Sequence, residues 1–435
     1  MKVALVGFEI EGRAAFAYWQ KQGADITICD QNPDKASEIP AGIQSQLGEG
    51  YLKNLDRFDV IWRTPVINPG MILKENPGVA NKITTTINEF LRVCPTKHVI
   101  GITGTKGKGT TSTLVARMLA AAGEQVFLGG NIGISPFDFL PQLTENSWVV
   151  LELSSYQLTD LRYGPSIAVC LMVVPEHLNW HADMDDYILA KAQLFQHQSP
   201  ADLAIYFAGS EVSQRIAGYS PALKMPFYAE PGAHIENDNI VIAGEQIVRT
   251  DELKLLGRHN WQNVCAAITV AWQVTQNVMA LRSVLTTFAG LEHRLELVRT
   301  IGTIKFYNDS YAATPDAAMA ALDAIPQPKV AIMGGFDRGL PLEHLAQSVA
   351  SHTEDIRKLI VIGASGKRLT EELEKAGFSN YILETSKAMP VIVNAAVSYA
   401  QPGDAVLLSP GFASFDMFKN FEDRGQQFKQ AVQAL

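Results

Sequence analysis

Short apolar runs, each followed by a glycine turn and an amphipathic stretch, recur along this chain and set the first expectation of its architecture. Residues 2–6 read as a buried strand that meets Gly7-Phe8-Glu9-Ile10-Glu11-Gly12. A helix over Arg13 to Gln22 follows, and then a strand over Asp25 to Cys29 that ends at Asp30. A βαβ opening with an acid at the end of its second strand invites a dinucleotide-binding reading. Glu9, however, stands where that fingerprint needs a glycine, and Glu11 adds a second negative charge at the helix start. The opening therefore favours a degenerate Rossmann-like domain for another nucleotide ligand, closing near Arg92, over nicotinamide or flavin binding.

The next apolar run, His98 to Ile102, enters Thr103-Gly104-Thr105-Lys106-Gly107-Lys108-Gly109-Thr110-Thr111 and then a helix whose Leu114, Val115, Met118, Leu119 and Ala122 keep helical spacing up to Gly123. Glycines let the backbone turn tightly and aim its N–H groups inward, and the helix start adds free amides and the positive dipole end. This is the pattern of a phosphate cradle. Lys108 supplies a point charge, and Thr110 or Thr111 a hydroxyl for Mg²⁺. The common G-x-x-x-x-G-K-[ST] string is missed at both ends, because Ile102 replaces its first glycine and Gly109 directly follows the lysine. Two lysines crowded into such a turn repel each other unless an anion is present.

Strands over Gln125 to Leu128, Trp148 to Leu153, Ile167 to Val174 and Leu203 to Phe207 then alternate with helical segments, which predicts a largely parallel sheet with its chemistry beyond the carboxyl ends of the strands. Polar residues cluster at those ends: Gly129-Gly130-Asn131-Ile132-Gly133, then Glu152 with Ser154-Ser155-Tyr156-Gln157, then Glu176-His177. From Ser210 to Lys254 the pattern changes to short strands, with a hairpin around Ala243-Gly244. Helices over Trp261 to Gln273 and on to Phe288 precede a last αβ region that begins near Leu291. Its strands are expected at Ile304 to Tyr307, Val330 to Met333, Leu359 to Ile362 and Ala405 to Leu408.

At 435 residues the chain exceeds one ordinary core and suggests several domains. A net charge of -9 argues against a nucleic-acid partner and leaves small anions as the better fit. Cys29, Cys94, Cys170 and Cys265 are widely spaced without a C-x-x-C pair, which reads as reduced thiols in a cytoplasmic protein. No segment approaches membrane-spanning length, and the first apolar run is too brief for a signal peptide.

Glu152 at one strand end and His177 after the next in sequence are oxygen and nitrogen ligands on one sheet edge, and Lys191 lies on a helix that returns over it. Each alone reads as a cap, a loop histidine or a solvated lysine. Beside a phosphate loop they suit phosphoryl chemistry, which needs cations to neutralise the transferring group. In the last region Asn308-Asp309-Ser310, Gly334 to Gly339 and Ser409-Pro410-Gly411 close three strands. Arg338 is placed to hold a carboxylate by a bidentate fork, and His293-Arg294 to put a cation on phosphate.

Taken together, Gly104-Thr105-Lys106-Gly107-Lys108, Gly129-Gly130-Asn131-Ile132-Gly133, Leu151-Glu152-Leu153-Ser154-Ser155-Tyr156-Gln157-Leu158, Glu176-His177-Leu178-Asn179-Trp180-His181, Tyr307-Asn308-Asp309-Ser310 and the closing run from Ser409 to Gly425 resemble the Mur ligase family. The resemblance implies an α/β chain of three domains: a Rossmann-like domain over 1–92 for a UDP moiety, a central P-loop ATPase-type domain over 93–290 with a mostly parallel sheet and a small β subsheet, and a Rossmann-like domain over 291–435 for the amino acid. It implies an ATP-dependent amide ligase that joins glutamate to UDP-N-acetylmuramoyl-L-alanine through an acyl phosphate, as a cytoplasmic monomer using two Mg²⁺ ions, with no membrane partner. Gly104, Thr105, Lys106, Gly107, Lys108, Gly109, Thr110, Asn263, Arg294 and Asp309 are the implied ATP contacts. Thr110, Glu152, His177 and a carbamylated Lys191 are the implied metal ligands, with Lys108, His177 and Lys191 catalytic. Asp30, Asn131, Ser154, Gln157, Arg338, Ser414 and Phe421 are the implied substrate contacts. The chain departs from the family pattern at Glu9, Glu11 and Thr64-Pro65-Val66 in the UDP region, and at Tyr311 and Arg338, where lysines are usual. The same chemistry with L-glutamate or with another amino acid or acceptor is the alternative.

Overall fold

A computed structural model describes residues 1–435 except Gly133 and Leu256, and excepting also the side chains of Ile10 and His259. Its first sheet is parallel and runs in the order Gln44–Leu47, Asp25–Asp30, Lys2–Val6, Val60–Arg63, Ile83–Thr84. The central strand is apolar throughout because both faces of a parallel sheet are covered, and Val3 to Val6 are wholly buried. Its helix spans Ile10–Lys21, a turn earlier than the spacing predicts, since the amide of Arg13 already donates to the Glu9 carbonyl at 2.9 Å. A side chain at Gly12 would come within 2.2 Å of the Gly7 carbonyl oxygen, so helix and loop pack backbone to backbone. Three of the five strands fall in stretches for which the sequence gives no strand expectation; Gln44–Leu47 and Ile83–Thr84 are short and only partly apolar.

The second sheet is also parallel and runs in the order Leu223–Phe227, Leu203–Phe207, Ile167–Cys170, Val99–Thr103, Trp148–Glu152, Val126–Gly130. The strand expected to reach Val174 ends at Cys170. Beyond it the backbone serves the glycine loop instead of the ladder: Thr105 donates its amide to Met172, and its hydroxyl bonds both backbone groups of Val174. A small antiparallel sheet follows, His234–Glu236, Asn239–Ile242 and Glu245–Arg249. Its two-residue hairpin, Ala243-Gly244, has both residues at positive φ, as such turns require.

The chain divides into two compact units, residues 1–253 with 258–288, and residues 254–257 with 289–435. The second unit holds a mixed six-stranded sheet in the order Glu296–Ile301, Ile304–Asn308, Ala405–Leu408, Lys329–Gly334, Ile356–Ile362, Tyr381–Glu384. The edge strand Glu296–Ile301 is antiparallel to its neighbour and departs from the simple alternation expected of this region. Only its mixed polar and apolar residues mark it, which suits an edge with one covered face. No helix among the described residues is long and apolar enough to cross a membrane.

Within the first unit one apolar cluster runs through both parallel sheets, joining Leu5, Trp62 and Phe90 to Leu151, Leu158 and Phe195. Arg63 pins the same junction. Its side chain is 0% exposed and grips Asp160 with Nε at 2.9 Å and Nη2 at 2.6 Å, while the carbonyls of Pro65, Ile67 and Tyr156 take the remaining donors. Arg63→Met strands the Asp160 charge and is expected to destabilise the first unit by about 3 to 5 kcal/mol in urea unfolding. A loss within the range of an exposed pair, below about 1 kcal/mol, would show that the apolar cluster alone holds the junction.

Candidate functional site

The central strand Val99–Thr103 delivers the chain into the glycine loop, and the helix Lys108–Ala121 leaves it. Gly107 has φ +86, and a Cβ there would meet the side chain of Asn263 at 2.1 Å. The loop and the helix His259–Trp272 are therefore in direct contact through Asn263. Lys108 extends back over its own turn, its Nζ donating to the carbonyls of Gly104 at 3.0 Å and Thr105 at 2.9 Å. Of the two candidate threonines, Thr111 is wholly buried, whereas Thr110 keeps 5% exposure.

Two loop residues also have partners within the protein. Lys106 pairs with Glu176 at 2.6 Å, so the protein itself supplies one anion that keeps the two loop lysines together. Burial pushes the Glu176 carboxyl up, but the hydrogen bond and charge of Lys106 outweigh it and leave the group below its ordinary value. The Thr105 side chain serves the protein interior, bonding Val174 and lying 2.9 Å from the Tyr187 hydroxyl. Only the backbone of Thr105 remains for a ligand.

Lys191 comes from the helix Met184–Gln196 and is 1% exposed. Its Nζ donates to the Gly104 carbonyl at 3.0 Å and lies 4.4 Å from the centre of the Tyr187 ring. Two amines, those of Lys108 and Lys191, thus meet on one carbonyl oxygen. Burial first, and then the charge of Lys108, pull Lys191 down to about 7. At neutral pH much of it is a free amine.

Glu152 ends its strand 6% exposed, receiving a hydrogen bond from Asn131 Nδ2 at 2.8 Å, and among the described residues no basic side chain pairs with it. A buried carboxylate without such a partner calls for a cation. Gly130, at φ +98, lets the turn pass so close that a Cβ would lie 2.3 Å from the Glu152 carbonyl oxygen; the last glycine of this motif, Gly133, lies outside the described residues. His177 has φ +60 and its Nε2 is 3.6 Å from Glu176. Burial, with the charges of Lys108 and Lys191, holds its imidazole below the ordinary value despite Glu176. No hydrogen bond or ion pair links Glu152 to His177 among the described residues.

Ser154 and Gln157 cap each other at the start of the helix Ser155–Leu158, and Gln157 Nε2 also donates to Glu11 Oε1 at 3.3 Å. Burial pushes the Glu11 carboxyl up to about 7 against the pull of Gln157 and Arg63. The unusual first loop therefore touches a residue expected at the substrate. Asp30 keeps its place but spends both oxygens on backbone amides, those of Phe8 and Asn32. Glu9 pairs with Lys35 at 2.7 Å.

In the second unit Asp309 is buried, accepting from Ser409 Oγ at 2.8 Å and the Leu295 amide at 3.1 Å, and burial raises it to about 7 against these bonds. Arg294 lies 5.1 Å over the Tyr311 ring, which in turn meets Phe421 edge-on at 5.2 Å. Arg338 bonds the Ala313 carbonyl, and Ser414 is buried. Glu292, His293 and Glu296 form a cluster of metal-ligand type, but Lys429 already pairs with both carboxylates at 2.7 and 2.6 Å. A residue the sequence reading did not single out is Arg424. Wholly buried, it bonds the Ser310 hydroxyl and carbonyl and the carbonyls of Phe412 and Ala413, and burial draws it down to about 10. Its one signal is position, three residues after Phe421 and four before Phe428 on an apolar helix face.

Below about pH 7 Lys191 carries its proton in both folded and unfolded chains; between there and its ordinary value of 10.5 only the unfolded chain does. Raising the pH through that window therefore favours the folded state, by up to about 1.4 kcal/mol per unit. Stability of the wild type relative to Lys191→Met, measured by urea unfolding from pH 6 to 9, should climb from about pH 7. Parallel profiles would show that Lys191 titrates normally.

Residues 102–271 match the Mur ligase middle domain, and residues 293–412 the Mur ligase glutamate ligase domain. The chain is 35% identical over 447 residues to UDP-N-acetylmuramoylalanine--D-glutamate ligase of Clostridium kluyveri, covering 99% of this chain and 96% of that one. It is 37% identical over 453 residues to the enzyme of the same name from Symbiobacterium thermophilum, covering 100% and 98%. Among solved structures, UDP-N-acetylmuramate-alanine ligase MurC from Thermotoga maritima shares the fold with a TM-score of 0.59 at 18% identity, over 100% of this chain and 99% of that one. MurF from Acinetobacter baumannii does so with 0.61 at 17% identity, over 99% and 93%.

Proposed function

The chain belongs to the Mur ligase family, and on that premise we propose that it is the ATP-dependent ligase that adds D-glutamate to UDP-N-acetylmuramoyl-L-alanine in peptidoglycan synthesis. The observation that carries the site reading is the meeting of Lys108 and Lys191 on the Gly104 carbonyl, beside a buried Glu152 with no basic partner among the described residues. A carboxylate oxygen of the acceptor attacks the γ-phosphorus of ATP, the bond to the ADP oxygen breaks, and an acyl phosphate forms. The glutamate nitrogen then adds to the acyl carbon, and the tetrahedral adduct expels phosphate and loses a proton to give the amide. Lys108 follows the transferring charge.

The neutral fraction of Lys191 suits it to take up CO₂ as a carbamate, with a new N–C bond and loss of a proton. Thr110, Glu152, His177 and that carbamate would hold two Mg²⁺ ions, which supply charge neutralisation when bound. Asn131 orients Glu152 through its amide, and Ser154 and Gln157 present the acceptor. Asn263, Arg294 and Asp309 serve ATP, while Arg338, Ser414 and Phe421 serve the amino acid. The division into domains over 1–92, 93–290 and 291–435 draws support from the separate sheets in those stretches. A cytoplasmic location and a monomeric state remain part of this reading, with the four cysteines free. A second reading, ligation of L-glutamate or another amino acid, is favoured by two observations: Tyr311 is half exposed beside Phe421, and Arg338 is engaged with the Ala313 carbonyl.

Phosphate release from ATP and Mg²⁺ with UDP-N-acetylmuramoyl-L-alanine should require D-glutamate. Release with L-glutamate only, or with neither, would overturn the substrate assignment. Lys108→Ala should weaken nucleotide binding by about 1.5 to 3 kcal/mol and reduce turnover further, and near-normal turnover would remove Lys108 from the mechanism. Lys191→Ala should be inactive and regain part of its activity with small added carboxylates; full activity without them would refute the carbamate.

A further inference from the structure

A hydrogen-bonded chain of three side chains lies behind the sheet edge, its serine and histidine buried and its aspartate, Asp186, partly exposed. His181 Nε2 is 2.9 Å from Ser155 Oγ, and its Nδ1 is 3.1 Å from Asp186 Oδ2. The imidazole side chain is 0% exposed and Ser155 is buried with it. A carboxylate only accepts, so Nδ1 bears the hydrogen and the Nε2 lone pair receives the Ser155 hydroxyl. Asp186 is held in turn, its Oδ2 also accepting from the Ala182 amide. The contacts are those of a hydrolytic triad, but a serine sealed in this way has no space for a substrate carbonyl.

Each member belongs to a different functional segment. Ser155 opens the helix whose cap is formed by Ser154 and Gln157. His181 closes the turn that begins at His177, its amide bonding the His177 carbonyl at 3.0 Å. Asp186 sits in the first turn of the helix that carries Lys191. Aromatic rings enclose the imidazole: Trp180 at 4.7 Å, Tyr187 at 5.2 Å and Tyr156 at 5.9 Å. Trp180 extends the brace to the turn that follows the strand Val60–Arg63 by donating to the Val66 carbonyl at 2.8 Å.

We propose that His181 is a positioning residue, an imidazole strut that fixes the His177 turn against the Ser154–Gln157 segment and the Lys191 helix. The proposal rests on the metal and acceptor roles given above to His177, Ser154 and Gln157. It assigns His181 no contact with substrate. Two bonds from one rigid ring set a separation that a loop residue at positive φ cannot hold by itself.

The test compares wild type with Ser155→Ala, Asp186→Asn, the double variant and His181→Gln, all in the full chain. The readouts are Mn²⁺ binding in the presence of ADP by electron paramagnetic resonance, KM for UDP-N-acetylmuramoyl-L-alanine and for D-glutamate, and the melting temperature. Ser155→Ala removes a single hydroxyl and is the variant that keeps its fold. We expect Mn²⁺ affinity and the acceptor KM to worsen about tenfold in each single variant, with the glutamate KM held within about twofold. The double variant should be no worse than the poorer single one, because either cut already frees the ring. An imidazole ¹⁵N spectrum of wild type should show protonation at Nδ1 alone. Unchanged Mn²⁺ affinity and acceptor KM in folded variants, or equal losses in all constants that track the melting temperature, would overturn the strut while leaving the ligase reading intact. A wild type that neither ligates nor binds Mn²⁺ would overturn the site reading and the strut with it.

Discussion

Positive charge crowded onto one carbonyl oxygen governs the arrangement of the first unit. Lys108 and Lys191 both donate to the Gly104 carbonyl, and Lys108 reaches the Thr105 carbonyl as well. Two ammonium groups so placed in a poorly solvated site raise each other's energy, and burial lets the more enclosed one relieve it by releasing a proton. The neighbouring parts follow from that constraint. Glu176 neutralises Lys106 at the rim, the buried Glu152 is turned by Asn131, and Thr105 is tied to Val174 and Tyr187 so that the loop holds its shape. Such a concentration of positive charge suits a polyanionic ligand.

Much of this was legible in the chain. The central strands of both parallel sheets are continuous apolar runs, and the polar residues at their carboxyl ends stand where the topology brings chemistry together. Glu152, His177 and Lys191 could be assigned to one sheet edge because strand–helix alternation fixes which ends face the same way. The Ala243-Gly244 hairpin was legible for a local reason, two residues tolerant of positive φ between apolar alternations.

What escaped the sequence was decided by contacts far apart in the chain. Nothing local marks Val60–Arg63 as a strand whose arginine is sealed against Asp160, ninety-seven positions later. Nothing local pairs Lys106 with Glu176, which lies seventy positions later beyond the neighbouring strand. The roles of Glu11 and Arg424 likewise depend on partners supplied by the fold: Gln157 for one, backbone carbonyls for the other. The early helix start after Glu9 reflects a Gly7–Gly12 approach that propensity does not encode.

The carbonyl cage around Arg424 has a consequence for how the second unit responds to its surroundings. Counterions weaken attraction between exposed charges, such as Lys367 with Glu371, by gathering around both partners. They have no access to a guanidinium enclosed by the oxygens of Ser310, Phe412 and Ala413, whose dipoles are fixed in the backbone. The turns flanking Ser310 and Ser414 are thus organised by an electrostatic contact that salt screens far less than it screens an exposed pair.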